Sequence, residues 1–425
     1  MRDHSKHIQV NKDEAVRLIV ENCSFDPKIE TVPASEACGR VLAADAWSKW
    51  DSPNCLTCRM DSVAVHFDDF AGGMPDTSNW VRGKDWEFAN TGVAMPAGFD
   101  TAIVVEHVLF SENDTKVAFD SMPSKRYAGT SAPGSKLRAG DILVKKGTLI
   151  TALLLATIVS GNNTEVRVVK RPKVGFIPTG NELVTASDAG IKIGKNIESN
   201  SYMIAQKIRE WGGEAIVYDI VPDDKEALKE ALLKGAGECD IVVLNAGSSK
   251  GNDDWGIEML EELGTIFYHQ TNHGPGHHSS FGILNNTPVI GISGPPGGAA
   301  FTTDYYLYPA MMAYYGREPQ LKKVKARLGA DIPEAGKFLK KNPENMGVNA
   351  ESRPAEDGEF YSVKQMKLKV SEDGILEAFA AGSSHPGPEE AENADAYFLM
   401  NSSFGAQPPK KGDLIEVELR PDFMK

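Results

Sequence analysis

Long apolar runs are missing from this 425-residue chain. Nothing approaches the roughly 20 consecutive apolar residues that span a bilayer, and the start, Met1 to Val10, is polar rather than signal-like. With no address to read, the expected location is cytoplasmic, with no membrane partner. Cysteine is scarce: Cys23, Cys38, Cys55, Cys58 and Cys239 are odd in number and scattered, which is not a disulfide framework and points to reduced thiols. Positive charge is also short, 45 Lys and Arg against 59 Asp and Glu for a formal charge of −14. That balance argues against nucleic acid as a partner, because a phosphate-binding surface needs a basic stripe. An anionic ligand must then find local donors or a bound cation. There is no internal repeat and no low-complexity tract, and the acidic Pro388 to Glu392 reads as a solvated turn.

What is present is ordinary globular composition, 41% hydrophobic and 24% charged, with length for two to four domains. Asn11 followed by Glu14 is a capping pattern, and Ala15, Val16, Leu18 and Ile19 then repeat at helical spacing. Ser35 to Leu42 reads as a second, short helix. From about residue 46 to 140 the pattern changes to short strand-like runs such as Ala102 to Leu109, separated by turn residues; this is a β-rich insertion. A helical segment returns near Thr148 to Ile158. Strands at Lys173 to Ile177, Glu214 to Tyr218, Ile241 to Asn245 and Pro288 to Ile292 then alternate with helices at Met203 to Trp211, Lys225 to Leu233 and Ala300 to Tyr315, the order of an α/β domain with helices on both faces of a mostly parallel sheet. Beyond Gly316 strands and turns resume at Gln365 to Val370, Ala396 to Met400 and Leu414 to Leu419, giving a C-terminal β-barrel. The expected domains are residues 1–45 with 141–170 as a helical linker, 46–140, 171–320 and 321–425.

Ligands of open α/β sheets bind beyond the carboxyl ends of the strands, and three polar or glycine-rich loops lie there. They are Pro178-Thr179-Gly180-Asn181-Glu182, Asn245 to Gly251, and Ser293-Gly294-Pro295-Pro296-Gly297-Gly298. The third leads into a helix and is a candidate anion cradle, although a tight turn alone also explains it. Glu182, Asp223, Asp224, Asp253 and Asp254 follow strands and are candidates to hold a divalent cation, while Asp223 and Asp224 equally suit a helix cap. Asn272 to His278 carries three imidazoles. Cys55 and Cys58 form a C-x-x-C pair with no second pair downstream, so a structural zinc site lacks two ligands, and a redox pair or two inert thiols remain.

Several stretches together resemble the molybdopterin molybdenumtransferases, the bacterial MoeA proteins and the E domain of gephyrin. Gly39 to Ala44 (GRVLAA), then Asp51, Pro53, Met60, Asp61 and Ala64, is similar to the family's GRVLAEDV and D-x-P-x-F-D-x-S-A-M-D-G-Y-A. Thr91 to Asp100, Arg171 to Val184, Ser199 to Ile204, Ile220 to Leu228, Asp240 to Trp255 and Gly291 to Ala299 resemble further family segments in the same order. The resemblance implies an enzyme that takes adenylylated molybdopterin, uses Mg2+ to release AMP and inserts molybdate, or tungstate, between the dithiolene sulfurs. It also implies a homodimer whose cleft lies between the α/β domain of one subunit and the inserted and C-terminal domains of the other. Carried over by position, Asp61, Glu182, Asp223 and Asp254 are the catalytic residues, the last three also metal ligands. Thr91, Thr179, Gly180, Gly247, Ser248, Ser249, Gly294, Pro295, Pro296 and His277 are the expected pterin-binding positions.

Departures from the family pattern gather around the same cleft. M-D-G-Y is Met60-Asp61-Ser62-Val63, G-G-V-S is Ala246-Gly247-Ser248-Ser249, an acid is Asn181, and a K-P-G-K loop is Gly274-Pro275-Gly276-His277, without its two permanent cations. A family acid falls near Lys136 and a family arginine near Ser362. Two other readings follow: a molybdopterin-binding or carrier protein without turnover, and a redox or metal-responsive module built on Cys55, Cys58 and the histidine loop.

Overall fold

The computed structural model describes residues 8–111, 113–186, 193–246, 255–332, 359–381, 394–403 and 406–421. The chain divides into two compact units, Ile29–Val169 and Lys170–Lys425 together with Met1–Lys28.

In the smaller unit, Ile29–Pro33 pairs antiparallel with Glu165–Val169. The helix Ala152–Ser160 is capped by the Thr151 side chain, which accepts from the Leu154 N–H, and a core including Leu42, Ile150, Ile158 and Val168 closes around it. A second core forms on a three-stranded sheet of Trp86–Ala89, Ser62–Val65 and Thr101–Val104; Val63, Val65, Trp86 and Phe119 fill it. The helix expected at Ser35 to Leu42 is absent. Only a 3-10 turn, Ala34–Glu36, forms, because Gly39 at φ 77° turns the chain out of the helix, and Arg40 and Leu42 then exchange backbone hydrogen bonds with Thr148 and Ile150.

The larger unit is built on β1 (Lys173–Pro178), α1 (Asn200–Glu210), β2 (Glu214–Val217), α2 (Lys225–Glu238), β3 (Ile241–Asn245), α3 (Gly256–Leu263), β4 (Thr265–His269), β5 (Ser280–Leu284) and β6 (Thr287–Ile292). The sheet order is β2-β1-β3-β6-β5-β4. The first four strands run parallel, β5 runs against them, and β4, antiparallel to β5, runs with them again. Every residue of β3 and β6 is buried, as expected of central parallel strands covered on both faces. The β5–β6 hairpin turns on Asn285 and Asn286, both at positive φ, the conformation that matches the strand twist in a two-residue hairpin.

After β6 one helical run covers Pro296 to Tyr314, interrupted by a π-turn at Thr303–Leu307. The barrel that follows consists of Lys323–Leu328, Tyr361–Val370, Leu376–Ala380, Ala396–Asn401 and Leu414–Leu419, closed by pairing of Tyr361–Val370 with Ala396–Asn401. Its core includes Leu328, Met366, Met400 and Val417. Two buried ionic clusters tie the barrel to the rest of this unit. Lys12, on the N-terminal helix Lys12–Asn22, donates to both Glu418 oxygens at 2.7 Å, and the Tyr305 hydroxyl donates to the same carboxylate. Asp304, fully buried in the π-turn, accepts from Lys207 of α1 and from the Tyr397 hydroxyl at 2.7 Å, with Arg420 Nε 3.5 Å away.

Candidate functional site

The carboxyl edge of the parallel strands gathers the first and third loops. Where β1 ends, Thr179 is buried and its N–H and hydroxyl both donate to the Asn245 carbonyl, at 3.2 and 3.1 Å. Gly180 N–H donates to the Val221 carbonyl at 3.1 Å. Gly180 has φ 140°, and a Cβ there would lie 2.5 Å from the Glu182 carboxylate; the absent side chain is what lets Glu182 fold back over the loop. Asn181 and Asp223 hold each other reciprocally: Asn181 N–H donates to Asp223 Oδ2 at 2.9 Å, and Asp223 N–H to Asn181 Oδ1 at 3.3 Å. Glu182 is exposed and Asp223 half-buried, so two carboxylates flank the end of β1.

Asp224 has a different job. It caps α2, accepting from the Ala227 N–H at 2.9 Å, the structural role its position allowed. Asp254, Gly247, Ser248, Ser249 and Asp253 lie outside the described residues. Before them, the chain leaves β3 through Ala246 at φ 66°, with its N–H on the Ile292 carbonyl at 3.1 Å.

Two asparagines with no assigned role in the sequence reading fix the third loop. Asn245, at the end of β3, donates to the Ser293 carbonyl at 2.8 Å. Asn200, in the first turn of α1, donates to Asn245 Oδ1 at 2.9 Å and to the Gly294 carbonyl at 2.7 Å. The only signal for Asn200 was its place in the Ser199 to Ile204 segment. Its own Oδ1 is buried with no partner among the described residues. The loop is narrower as an anion cradle than its glycines implied. Pro295 caps the following helix and Pro296 opens it, and neither carries an N–H. Gly298 is required for packing, since a Cβ there would meet Ser293 Oγ at 2.5 Å.

His273 is a core residue and not a ligand. It is fully buried, with Nδ1 3.1 Å from the Pro275 carbonyl and Nε2 2.9 Å from the Thr271 hydroxyl and 2.5 Å from that of Tyr306. Nδ1–H therefore donates and Nε2 accepts. Burial pushes the ring's pKa down to about 3 from 6.5. The unfolded chain takes up this proton below pH 6.5 while the folded chain does not, so stability is lost as pH falls from about 6.5 toward 3. We expect His273 to account for roughly 2–3 kcal/mol of lost stability between pH 6.5 and 4.5. Urea midpoints across that range, with His273→Gln showing the flatter slope, check this; equal slopes would refute it. The His277 and His278 rings lie 3.7 Å apart between centroids, tilted by 43°. Among the described residues no group of three or more His, Cys, Asp or Glu is placed to hold a metal ion.

In the smaller unit Asp61 and Thr91 meet. Asp61 Oδ1 accepts from the Thr91 N–H at 2.8 Å and its hydroxyl at 3.0 Å, and these bonds hold the carboxyl below its ordinary pKa. Thr91 lines an open groove of roughly 710 Å3 together with Cys55, Cys58, Arg59, Ser131 and Lys136. Cys58 sits in a strand paired with Thr130, its thiol 2.9 Å from the Met60 carbonyl.

A family model for the MoeA N-terminal region (domain I and II) matches residues 10–161, and one described as a probable molybdopterin binding domain matches residues 175–313. The chain belongs to the molybdopterin molybdenumtransferase (MoeA) family. The molybdopterin molybdenumtransferase of Haemophilus influenzae is 26% identical over 324 residues, covering 73% of this chain and 79% of that one. That of Staphylococcus epidermidis strain RP62A is 25% identical over 355 residues, covering 79% and 83%. Two structures of a molybdopterin biosynthesis MoeA protein from Pyrococcus horikoshii share the fold at TM-scores of 0.75 and 0.72. They are 23% and 24% identical and cover 98% and 97% of this chain and 100% of theirs.

The departures from the MoeA pattern do not all face a ligand. Val63 is wholly buried in the hydrophobic core, and the buried Ser62 hydroxyl donates to the Met60 carbonyl at 2.7 Å. Asn181 lies at the end of β1, hydrogen-bonded to Asp223. Gly274, in the loop that lacks the MoeA lysines, pairs directly with Ser362 in a parallel ladder, so two altered positions are neighbours. Among the described residues no helix is long and apolar enough to cross a membrane.

Proposed function

We propose that this chain is a molybdopterin molybdenumtransferase of molybdenum cofactor biosynthesis, inserting molybdate or tungstate into adenylylated molybdopterin with release of AMP. The observation that carries the reading is the pair of carboxylates, Glu182 and Asp223, at the carboxyl end of β1, beside loops tied together by Asn200 and Asn245.

This donor set suits Mg2+, which takes one or two carboxylates and completes its shell with water and substrate phosphates. Glu182 and Asp223, with Asp254 as third ligand, would hold it. Bound there, Mg2+ supplies the positive charge that offsets the pyrophosphate as AMP leaves. Gly180 leaves room for the Glu182 carboxylate, and Asn181 orients Asp223 through their reciprocal hydrogen bonds. Thr179, Gly180, Gly247, Ser248, Ser249, Gly294, Pro295, Pro296 and His277 form the pterin-binding surface, and Asp61 and Thr91 contribute from the inserted domain of a homodimer's partner subunit. The protein acts in the cytoplasm.

Purified protein, Mg2+ and adenylylated molybdopterin should release AMP when molybdate or tungstate is added. Tight pterin binding with no AMP under either anion would overturn the assignment and leave a carrier.

A further inference from the structure

The groove of the inserted domain shares Thr91 with the transferase reading but carries two cations that this reading does not use. Its wall includes Arg59 and Lys136 and no Asp or Glu. Three other arginines of the same unit are neutralised, Arg40 by Glu30, Arg82 by Glu87, and Arg126 by Asp68 and Asp100. Among the described residues no acid pairs with Arg59 or Lys136. In a chain with 14 more acids than bases, two such cations on one concave surface make a local exception to the field that repels anions.

The groove is also preformed. Lys136 and Leu137 N–H donate to the Ser52 carbonyl at 2.9 and 3.0 Å, and Ser52 N–H returns to the Leu137 carbonyl at 2.8 Å. Arg59 N–H is held on the Gly129 carbonyl at 2.9 Å, while Cys58 N–H reaches Val93 and Met95 N–H reaches Leu56. Three segments of wall are thereby fixed to one another by backbone bonds. Arg59 Nε lies 3.4 Å from Ser131 Oγ, which leaves the guanidinium's terminal N–H groups and the serine hydroxyl proton to face the groove. The Cys58 thiol donates to the Met60 carbonyl. Asp61 is not part of the lining, and its Oδ1 accepts from the Thr91 N–H and hydroxyl.

We propose that this groove binds a tetrahedral oxyanion, with the Lys136 ammonium and the Arg59 guanidinium as its charged donors and the Ser131 hydroxyl as a neutral one. A planar, forked guanidinium and a mobile ammonium together suit two or three oxygens of a compact dianion. The inference goes beyond the transferase reading and needs no pterin and no turnover, so the failure of one leaves the other standing.

The test is calorimetric titration of the full-length protein with sodium molybdate, tungstate and phosphate, and separately with AMP. At least one free oxyanion should bind saturably at one per chain. Lys136→Met and Arg59→Met should each weaken it about tenfold or more, the double variant should abolish it, and Lys116→Met, elsewhere on the same unit, should leave it unchanged. Raising NaCl from about 50 to 200 mM should weaken it further. Circular dichroism of each variant establishes that the fold is intact. Absence of saturable binding up to about 10 mM, affinity indifferent to both substitutions, or binding of AMP with none of the free ions would each overturn the assignment.

Discussion

Glu182→Ala is expected to lower AMP release about 100-fold, roughly 2.7 kcal/mol of barrier, without moving the denaturation midpoint. The two halves of that expectation come from the same geometry. Glu182 is exposed and its carboxylate lies over Gly180, so removing it opens no cavity and strips no buried partner. If the carboxylate binds a cation on the leaving pyrophosphate, its loss is felt as the bond to AMP breaks. Asp223→Asn should act similarly on rate, because the amide keeps the shape of the latch with Asn181 while removing the charge. Gly180→Ala offers an independent route: the new methyl group would sit where the Glu182 carboxylate now is, at a φ that alanine rarely adopts, and should reproduce much of the Glu182→Ala defect. Wild-type turnover in both Glu182→Ala and Asp223→Asn would remove β1's edge from the mechanism.

Breaking the Lys12–Glu418 pair should have the largest effect on stability. Both side chains are over nine-tenths buried, and Glu418 also receives the Tyr305 hydroxyl while Lys12 stands 4.6 Å from the centre of the Tyr305 ring. Glu418→Ala removes the buried counter-charge and leaves the ammonium only the exposed Asp13 carboxylate, 2.7 Å away, a change expected to cost about 3 kcal/mol. Lys12→Met should cost a similar amount by stranding the carboxylate, although Lys323, 3.4 Å from Glu418, remains as a weaker partner. The double replacement Lys12→Met with Glu418→Met should recover much of the loss, since a buried ion pair and an apolar pair of like volume are often comparable. Urea denaturation of the four proteins gives the coupling directly; additive single losses would show that the two groups act separately.

The central α/β strands were legible because they are continuous apolar runs bounded by turn residues, and β3 and β6 are buried along their whole length. Asn11 was legible as a cap and accepts from the Glu14 N–H at 2.8 Å. The antiparallel strands β4, at the sheet edge, and β5, inside it, were not picked out; β5 meets β6 through a hairpin whose two central asparagines resemble ordinary loop residues. Ser35 to Leu42 had helical composition, yet one positive-φ glycine and the backbone partners at Thr148 and Ile150 decided against it, a tertiary outcome that no local window contains. The π-turn was invisible for the same reason: Asp304 sits there because Lys207, Tyr397 and Arg420 converge on it from distant parts of the chain.

At the site, sequence spacing located the loops after β1 and β6, but the asparagines that bind them to one another act through side-chain geometry. Asn200 and Asn245 are 45 positions apart, and neither carries the charge that draws notice in a search for catalytic groups. The altered positions divide in a way that an alignment by eye does not reveal. Val63 is a packing change, whereas Gly274 and Ser362 form a neighbouring pair in one ladder.

The Lys12–Glu418 contact joins residues 406 positions apart, which bears on how the chain is made as well as on how it stands. At about 5–20 residues per second, the first helix leaves the ribosome tens of seconds before the strand that holds its buried lysine has been synthesised. Residues Ile29–Val169 form a compact unit of their own and can close in the meantime. The lysine of that helix must stay hydrated through the interval, and its burial waits on a strand made 406 residues later.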